Sequence, residues 1–352
     1  MKKRVSLDDV GKATGYSKAT ISLALRNDGS IRLATRRKVR EIAEKLGYQP
    51  NPLLASLASR RFGGRKASGM PLAFLQFPCG SESDEQILKS VLAHGKDYAR
   101  QLGYQLDVYL GSNFKDGAHA TRVLFARGVQ GIIIPQHFRP EWLPGMEWGK
   151  FSVVGLGEGI ADRNSPLPLL RAAVDHFDVV RQAWEETWSR GYRKIGFLLF
   201  RVPYRRMEDE ERWGAVQVCL ARLPERKRIT PFISDFNEGR GPDRKAVDAW
   251  VRRHRPDAII GYNAWYHWVL TQLGYRIPQD FAFAILHKET GTEAITTPQS
   301  GMKHMRSDPI LAGLELLDQQ IRHHQHGLPL HPRTLTIHSE WLEGNTMPIK
   351  KI

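Results

Sequence analysis

The residues with the clearest chemical purpose lie near the start of the chain. In VSLDDVGKATGYSKATISLAL (5–25), a short predicted helix carries Ser17, Lys18, Ala19, Thr20, Ser22, Leu23 and Arg26 on its outer face. Small, hydroxyl-bearing and cationic side chains let a helix sit deep in a DNA major groove. There a hydroxyl or a lysine can meet base edges, and leucine can only make apolar contact, for instance with a thymine methyl. An ordinary helical hairpin with a solvated basic face is the competing reading of that stretch alone.

Enzyme chemistry is far less visible. No G-x-S-x-G, G-x-x-x-x-G-K-[ST] or G-x-G-x-x-G follows a predicted strand. The acids Glu208, Asp209, Glu210 and Glu211 read as a solvated helix start, where carboxylates suit the dipole. His323, His324, His326 and His331 read as a helix-terminal cluster in preference to a metal site. No cofactor is expected. Trp184, Trp188, Trp213, Trp250, Trp265 and Trp268 stand mostly at helical spacing, so most belong to a core. One of them is free to line a cleft and stack on a ligand ring.

The elements that position the first set are short and well signalled. Ser6 with Asp9 resembles a capping box ahead of Leu7, Val10 and Thr14. Gly15 supplies a positive-φ turn, and Ser17 caps the next helix, whose inner face is Ile21, Ala24 and Leu25. Two short helices across a glycine turn make a helix-turn-helix. A third helix, 33–46, brings Val39, Ile42, Ala43 and Leu46 to one face before Gly47. The formal charge is +15, and residues 1–66 hold 16 Lys+Arg against 5 Asp+Glu, about +11 of it. A basic surface confined to one end of a chain suits nucleic acid or an anionic membrane.

From Pro71 apolar strands alternate with amphipathic helices. Helices are predicted over 85–102, 118–127, 178–190, 208–223, 243–254, 264–273 and 308–323. The strands include PLAFLQF, YQLDVYL, GIIIP, FSVVGLG, KIGFLLF, RITPFI, DAIIG, DFAFAIL and TLTIH. Such alternation predicts parallel sheets with right-handed crossovers, and two runs of it predict two similar lobes. No apolar run is long enough to span a bilayer, and MKKR leads into a polar helix without the apolar segment of a signal peptide. A bridge between Cys79 and Cys219 is allowed by number, but two isolated thiols fit a reducing cytoplasm better.

The order of parts, SLDDVGKATGYSKATISLAL followed by TRRKVREIAEKLGYQPNPLLASLA, resembles the lactose-repressor (LacI/GalR) family. That resemblance implies a homodimeric, cytoplasmic DNA-binding repressor with an effector-binding domain. The implied fold is α + α/β. A helix-turn-helix domain (1–49) and a hinge helix with linker (50–70) precede a two-lobed type I periplasmic-binding-protein-like domain (71–352). Lobe one is expected over about 71–168 plus 295–325, and lobe two over about 169–294 plus 326–352.

Site residues follow from the same resemblance. Ser6, Asn27 and Tyr48 are expected on the DNA backbone. Pro52, Leu53, Leu54 and Leu57 form the hinge in the minor groove, with Leu57 in the place of the leucine that wedges between base pairs. Packing of those leucines on the neighbouring domain is the bland alternative. For the effector, the family Arg three residues before a glycine falls on Glu211, with Arg212 beside it. A family Asn is kept as Asn263, a family Asp falls on His287, and Asp175 with His176 stands at a cleft Asp-Asn pair. The expected partners are duplex operator DNA, a second copy of the chain and an unknown small molecule, a neutral carbohydrate being compatible; no membrane partner is expected. A solute-binding protein or sugar enzyme with a basic appendage is one rival. A DNA-binding architectural protein without effector control is the other. No leucine-heptad tail is present, so no coiled-coil tetramer is expected.

Overall fold

The computed structural model describes residues 7–25, 31–46, 69–76, 82–135, 145–157, 167–201, 207–235, 242–288 and 298–350. Met1–Ser68 and Gly69–Ile352 form two compact units.

The first unit holds three helices: α1 (Leu7–Thr14), α2 (Lys18–Leu25) and α3 (Leu33–Leu46). Its core is Val10, Ile21, Ala24, Val39 and Ala43, with Tyr16, Leu25 and Ile31 packed around it. These are the i, i+3, i+4 positions of the three helices, so the apolar stripes that the sequence shows are the surfaces that meet. Leu46, at the end of the expected α3 face, is exposed.

The second unit contains two six-stranded sheets of the same design. In the first, β1 (Met70–Gln76), β2 (Tyr104–Leu110), β3 (Gly131–Ile134), β4 (Ser152–Leu156) and β5 (Leu170–Val174) run parallel in the order β2-β1-β3-β4-β5. Helices α4 (Glu82–Gln101) and α5 (Gly117–Ala126) make crossovers. In the second, α6 (His176–Ser189) leads to β6 (Ile195–Arg201). Then follow α7 (Met207–Ala221), β7 (Phe232–Asp235), α8 (Arg244–His254), β8 (Ala258–Gly261), α9 (Ala264–Gln272), β9 (Ala282–Lys288) and β10 (Ser300–Lys303). Their order, β7-β6-β8-β9-β10, repeats the first. The central strands GIII, SVVGL and AIIG are buried at every residue, as strands covered on both faces must be.

The sheets differ from expectation in where the chain crosses between them. β5 belongs to the first sheet, although lobe two was expected from about 169. β10 belongs to the second, although 295–325 was assigned to lobe one. Helix α10 (Asp308–Arg322) then packs on β3, β4 and β5 of the first sheet. β11 (Thr334–Ile337) pairs with β5, so 326–337 does not join lobe two; only β12 (Trp341–Leu342) returns, antiparallel to β10. Each sheet therefore sends its fifth strand into a helix that covers the other sheet, α6 after β5 and α10 after β10. Short strands such as LRAAV and SGMK lack the apolar run that would mark them.

Three crossings result, after Val174, Lys303 and Ile337, and they are laced side by side. Asp175 N donates to Ile337 O at 3.0 Å, Lys303 N to Glu340 O at 2.9 Å, and Ser339 Oγ to Lys303 O at 2.8 Å. His338 Nδ1 lies 3.2 Å from Asp178 Oδ2 on α6.

The second sheet is held to its helices by aromatic packing at glycines. A Cβ on Gly196 of β6 would collide with the indole of Trp250 on α8, which is itself anchored by Nε1 donating to Thr230 O at 2.8 Å. Gly196→Ala should lower stability by about 1–3 kcal/mol in denaturant melts through overpacking. Adding Trp250→Phe should restore part of that loss. Equal losses for the single and double variants would show that the contact is not the cause.

Candidate DNA-binding surface and ligand site

In the first unit the turn is built by local bonds. Gly15 takes φ +76°, and its N donates to Gly11 O at 2.8 Å. Thr14 Oγ1 donates to Val10 O at 2.8 Å and accepts from Tyr16 N at 3.4 Å. Ser17 Oγ then accepts from Thr20 N at 3.2 Å, which caps α2. Ser17 and Lys18 are exposed and Thr20 is half-buried, opposite Ile21 and Ala24, both fully buried. Ala19, Ser22 and Leu23 lie on the backbone of α2, but their side chains lie outside the described set. Ser6, Arg26, Asn27, Tyr48 and the hinge residues Pro52, Leu53, Leu54 and Leu57 also lie outside the described residues.

In the second unit a cluster of side chains gathers at the carboxyl ends of the second sheet, where parallel α/β sheets place ligands. Arg212 is its centre. On α7 the buried positions Glu208, Arg212, Ala215, Val216, Cys219 and Leu220 form the inward face. The Arg212 side chain is only 5 % exposed. Nη1 donates to Asp209 Oδ1 at 2.9 Å, Nη2 lies 3.0 Å from His176 Nδ1, and the guanidinium carbon stands 5.1 Å from the centre of the Tyr262 ring. Its Nε is buried and donates to no described group. Glu211, at the margin of that face, is half-exposed. The charged residues buried on this face are Glu208 and Arg212, and Glu211, where the resemblance put the family arginine, is not among them.

Around Arg212 the rings touch in series. His176 and His287 are 6.0 Å apart, His287 and Tyr262 4.8 Å, and His287 and His304 4.8 Å. Burial first, then Arg306 and Arg212, push the His304 imidazole down to about 4, so it is neutral near pH 7. Asp175 and Asn263 serve as helix caps. Asp175 Oδ1 accepts from Asp178 N at 2.8 Å at the start of α6, and Asn263 Oδ1 accepts from Trp265 N at 3.1 Å at the start of α9. Of the residues expected at the effector, Arg212 and His287 fall within this cluster, and His176 joins them. Asp175 immediately precedes His176, and Asn263 immediately follows Tyr262. Tyr262, His304 and Asp209 were not anticipated as contributors.

The reading of the acidic run is corrected. Glu208 is buried, and Asp209 pairs with Arg212, so this acidic run is not a solvated helix start. Trp184 and Trp250 are core residues, but Trp213 and Trp268 are 40 % and 45 % exposed. Cys219 is a buried free thiol, raised to about 11 by burial. Cys79 lies outside the described residues. Among the described residues no three His, Cys, Asp or Glu side chains are grouped to hold a metal. No described helix is long and apolar enough to cross a membrane.

The profile of "Bacterial regulatory proteins, lacI family" matches residues 6–51, the stretch that carries the helix-turn-helix. The chain is a DNA-binding transcriptional regulator whose residues 6–51 match the LacI-family helix-turn-helix domain. It is a DNA-binding protein and not an enzyme. The HTH-type transcriptional regulator GntR of Escherichia coli K12 is 24 % identical over 330 residues, covering 88 % of this chain and 92 % of its own. The sucrose operon repressor of Escherichia coli is 26 % identical over 292 residues, covering 79 % and 82 %. Among solved structures, the lac repressor dimer bound to operator and the anti-inducer ONPF has a TM-score of 0.54 at 18 % identity, covering 98 % of this chain and all of that one. The CelR–cellobiose complex has a TM-score of 0.57 at 17 % identity, covering 97 % of this chain and all of that one. These structural likenesses carry the fold.

The His304 environment gives a pH prediction for this regulator. Its folded value, about 4, lies below the ordinary histidine value of 6.5, so the folded state resists protonation. Its neutral form imposes no penalty above about pH 6.5, and stability is lost as pH falls from there toward 4. The loss should reach on the order of 3 kcal/mol at about 1.4 kcal/mol per pH unit. His304→Gln should flatten this part of the pH–stability curve. A curve identical to wild type would refute the assignment.

Proposed function

We propose that this regulator acts as a homodimer on a pseudo-palindromic operator in the cytoplasm, probed by α2 in the major groove, and that a small neutral carbohydrate bound at the Arg212 cluster modulates it. The observation that carries the ligand half is the chemistry of that cluster. Arg212 is buried with its charge opposed by Asp209 at 2.9 Å, and around it stand Tyr262 and three imidazoles. Compensated charge beside aromatic faces and mixed donors and acceptors suits hydroxyls and ring C–H faces better than a phosphate. The CelR structure is a complex with cellobiose, and a second structure of similar fold, covering 79 % of this chain at a TM-score of 0.56, is a complex with D-xylulofuranose. Those bound sugars support the carbohydrate class.

For the DNA half, the supporting features are the exposed Ser17 and Lys18 at the start of α2 and the excess of cations in residues 1–66. Arg26 and the side chains of Ala19, Thr20, Ser22 and Leu23 complete the proposed reading face. Ser6, Asn27 and Tyr48 are proposed on the backbone, and Leu57, flanked by Pro52, Leu53 and Leu54, as the minor-groove wedge. Selection from a randomised duplex pool should yield an inverted repeat, because a two-fold dimer presents one helix per half-site. Leu23→Arg should change the preferred base at one symmetric pair of positions, toward guanine. Affinity should fall linearly in log K against log salt. An asymmetric single half-site with a flat salt response would contradict this reading.

For the ligand half, calorimetry of the full chain against neutral mono- and disaccharides should find a binder. Arg212→Gln and His287→Ala should each weaken it by about 1–3 kcal/mol, since each leaves a buried polar partner unmatched. Tight binding of a sugar phosphate, or affinity indifferent to both substitutions, would place the ligand elsewhere.

A further inference from the structure

The second sheet has two chemically different ends. Its carboxyl ends carry the Arg212 cluster. Its amino ends carry cations. The segment before β6 holds Arg193 and Lys194. That before β7 holds Arg222, Arg226, Lys227 and Arg228. That before β8 holds Arg252, Arg253 and Arg255, and Lys350 of the tail lies beside them. All ten side chains belong to exposed residues. Because β8, β6 and β7 are parallel neighbours, the three segments share one rim. Bonds confirm the adjacency. Asp257 N donates to Lys194 O at 2.9 Å, Lys350 N to Arg190 O at 2.8 Å, and Trp250 Nε1 on α8 reaches Thr230 O before β7.

The rim is not self-neutralised. Arg222 pairs with Glu185, Arg252 with Asp248, and Lys350 with Asp257. The remaining seven, Arg193, Lys194, Arg226, Lys227, Arg228, Arg253 and Arg255, make no ion pair among the described residues. By contrast, the segment before β9 closes its own pair, Arg276 with Asp280 at 2.7 Å. Helices α6, α7 and α8 end at this rim, and cations there offset their dipoles, each equivalent to roughly half a negative charge. Set against the exposed Glu225 of the same rim, seven unpaired cations leave about +6, more than the roughly −1.5 of three helix ends. The excess is also local, because residues beyond 66 supply only about +4 of the chain's +15.

We infer that this rim is a second contact for duplex DNA, made to phosphates and separate from the helix-turn-helix. Arginine dominates it, and its planar fork suits phosphate oxygens. Three strands span roughly 10 Å at their usual spacing, close to the roughly 12 Å width of a major groove bounded by phosphates. A protein partner would need an apolar anchor. No large hydrophobic residue is exposed among the described residues of the three segments, 190–194, 222–230 and 252–257, and Ile349 beside Lys350 is exposed but single.

The test uses the full chain bound to a short biotinylated operator duplex and measures capture of a labelled non-operator duplex of about 30 base pairs across a salt series. Wild type should capture it, less as salt rises. Lys194→Glu/Lys227→Glu/Arg253→Glu should reduce capture by about tenfold or more and lower the salt slope, with short-operator affinity kept within about twofold. The Gln triple variant should fall between the two, and it decides the matter if the Glu variant does not fold. Capture unchanged in the Gln variant would overturn the inference. So would capture that polyglutamate competes away but unlabelled duplex does not, which would assign the rim to an acidic protein.

Discussion

The second unit is organised around a cation that has been taken out of water. A guanidinium cannot shed its proton, so a buried arginine must be met by charge and by hydrogen-bond acceptors. Arg212 is met by Asp209 one helical turn earlier on the same helix, by the imidazole of His176 from the first turn of α6, and by the face of Tyr262 at the end of β8. Removing one partner of such a pair commonly costs about 3–5 kcal/mol, because the other is left buried and uncompensated. The constraint reaches three elements at once. It fixes the rotation of α7, the start of α6 and the turn into α9.

That location ties the site to the crossings between sheets. His176 follows Asp175, the residue whose N donates to Ile337 O where the third crossing begins. His304 follows β10 directly at the second crossing, and its N donates to Lys288 O at 2.8 Å. Residues of the cluster thus adjoin two of the three connections between the two sheets. A ligand that orders His176 and His304 acts on those connections, and through them on the relation of the two lobes. In the proposed function this is the physical route from ligand to DNA affinity.

Much of this was legible in the sequence, and the failures share a cause. Ser17, Gly15 and the stripe of Ile21 and Ala24 announced the helix-turn-helix, because caps, turns and periodicity are local signals. Strands such as IGFLLF and AIIG were legible because burial on both faces requires continuous apolar runs. LRAAV, SGMK and the two residues of β12 were not, since their place depends on pairing with distant strands. The lobe boundaries failed with them, and so did His304, which matters only because SGMK is a strand. Glu211 was matched to the family arginine on a spacing of three residues to Gly214, with Arg212 beside it; Arg212 is the one on the inward face of α7, and that face is visible only in the folded helix.

The central claim is that the Arg212 cluster both binds the effector and controls DNA affinity. The direct measurement is operator anisotropy with the full-length protein, titrated with neutral mono- and disaccharides, for wild type and Arg212→Leu. The account predicts that a saccharide shifts wild-type operator affinity and that Arg212→Leu abolishes the shift. A saccharide response that survives Arg212→Leu would contradict it.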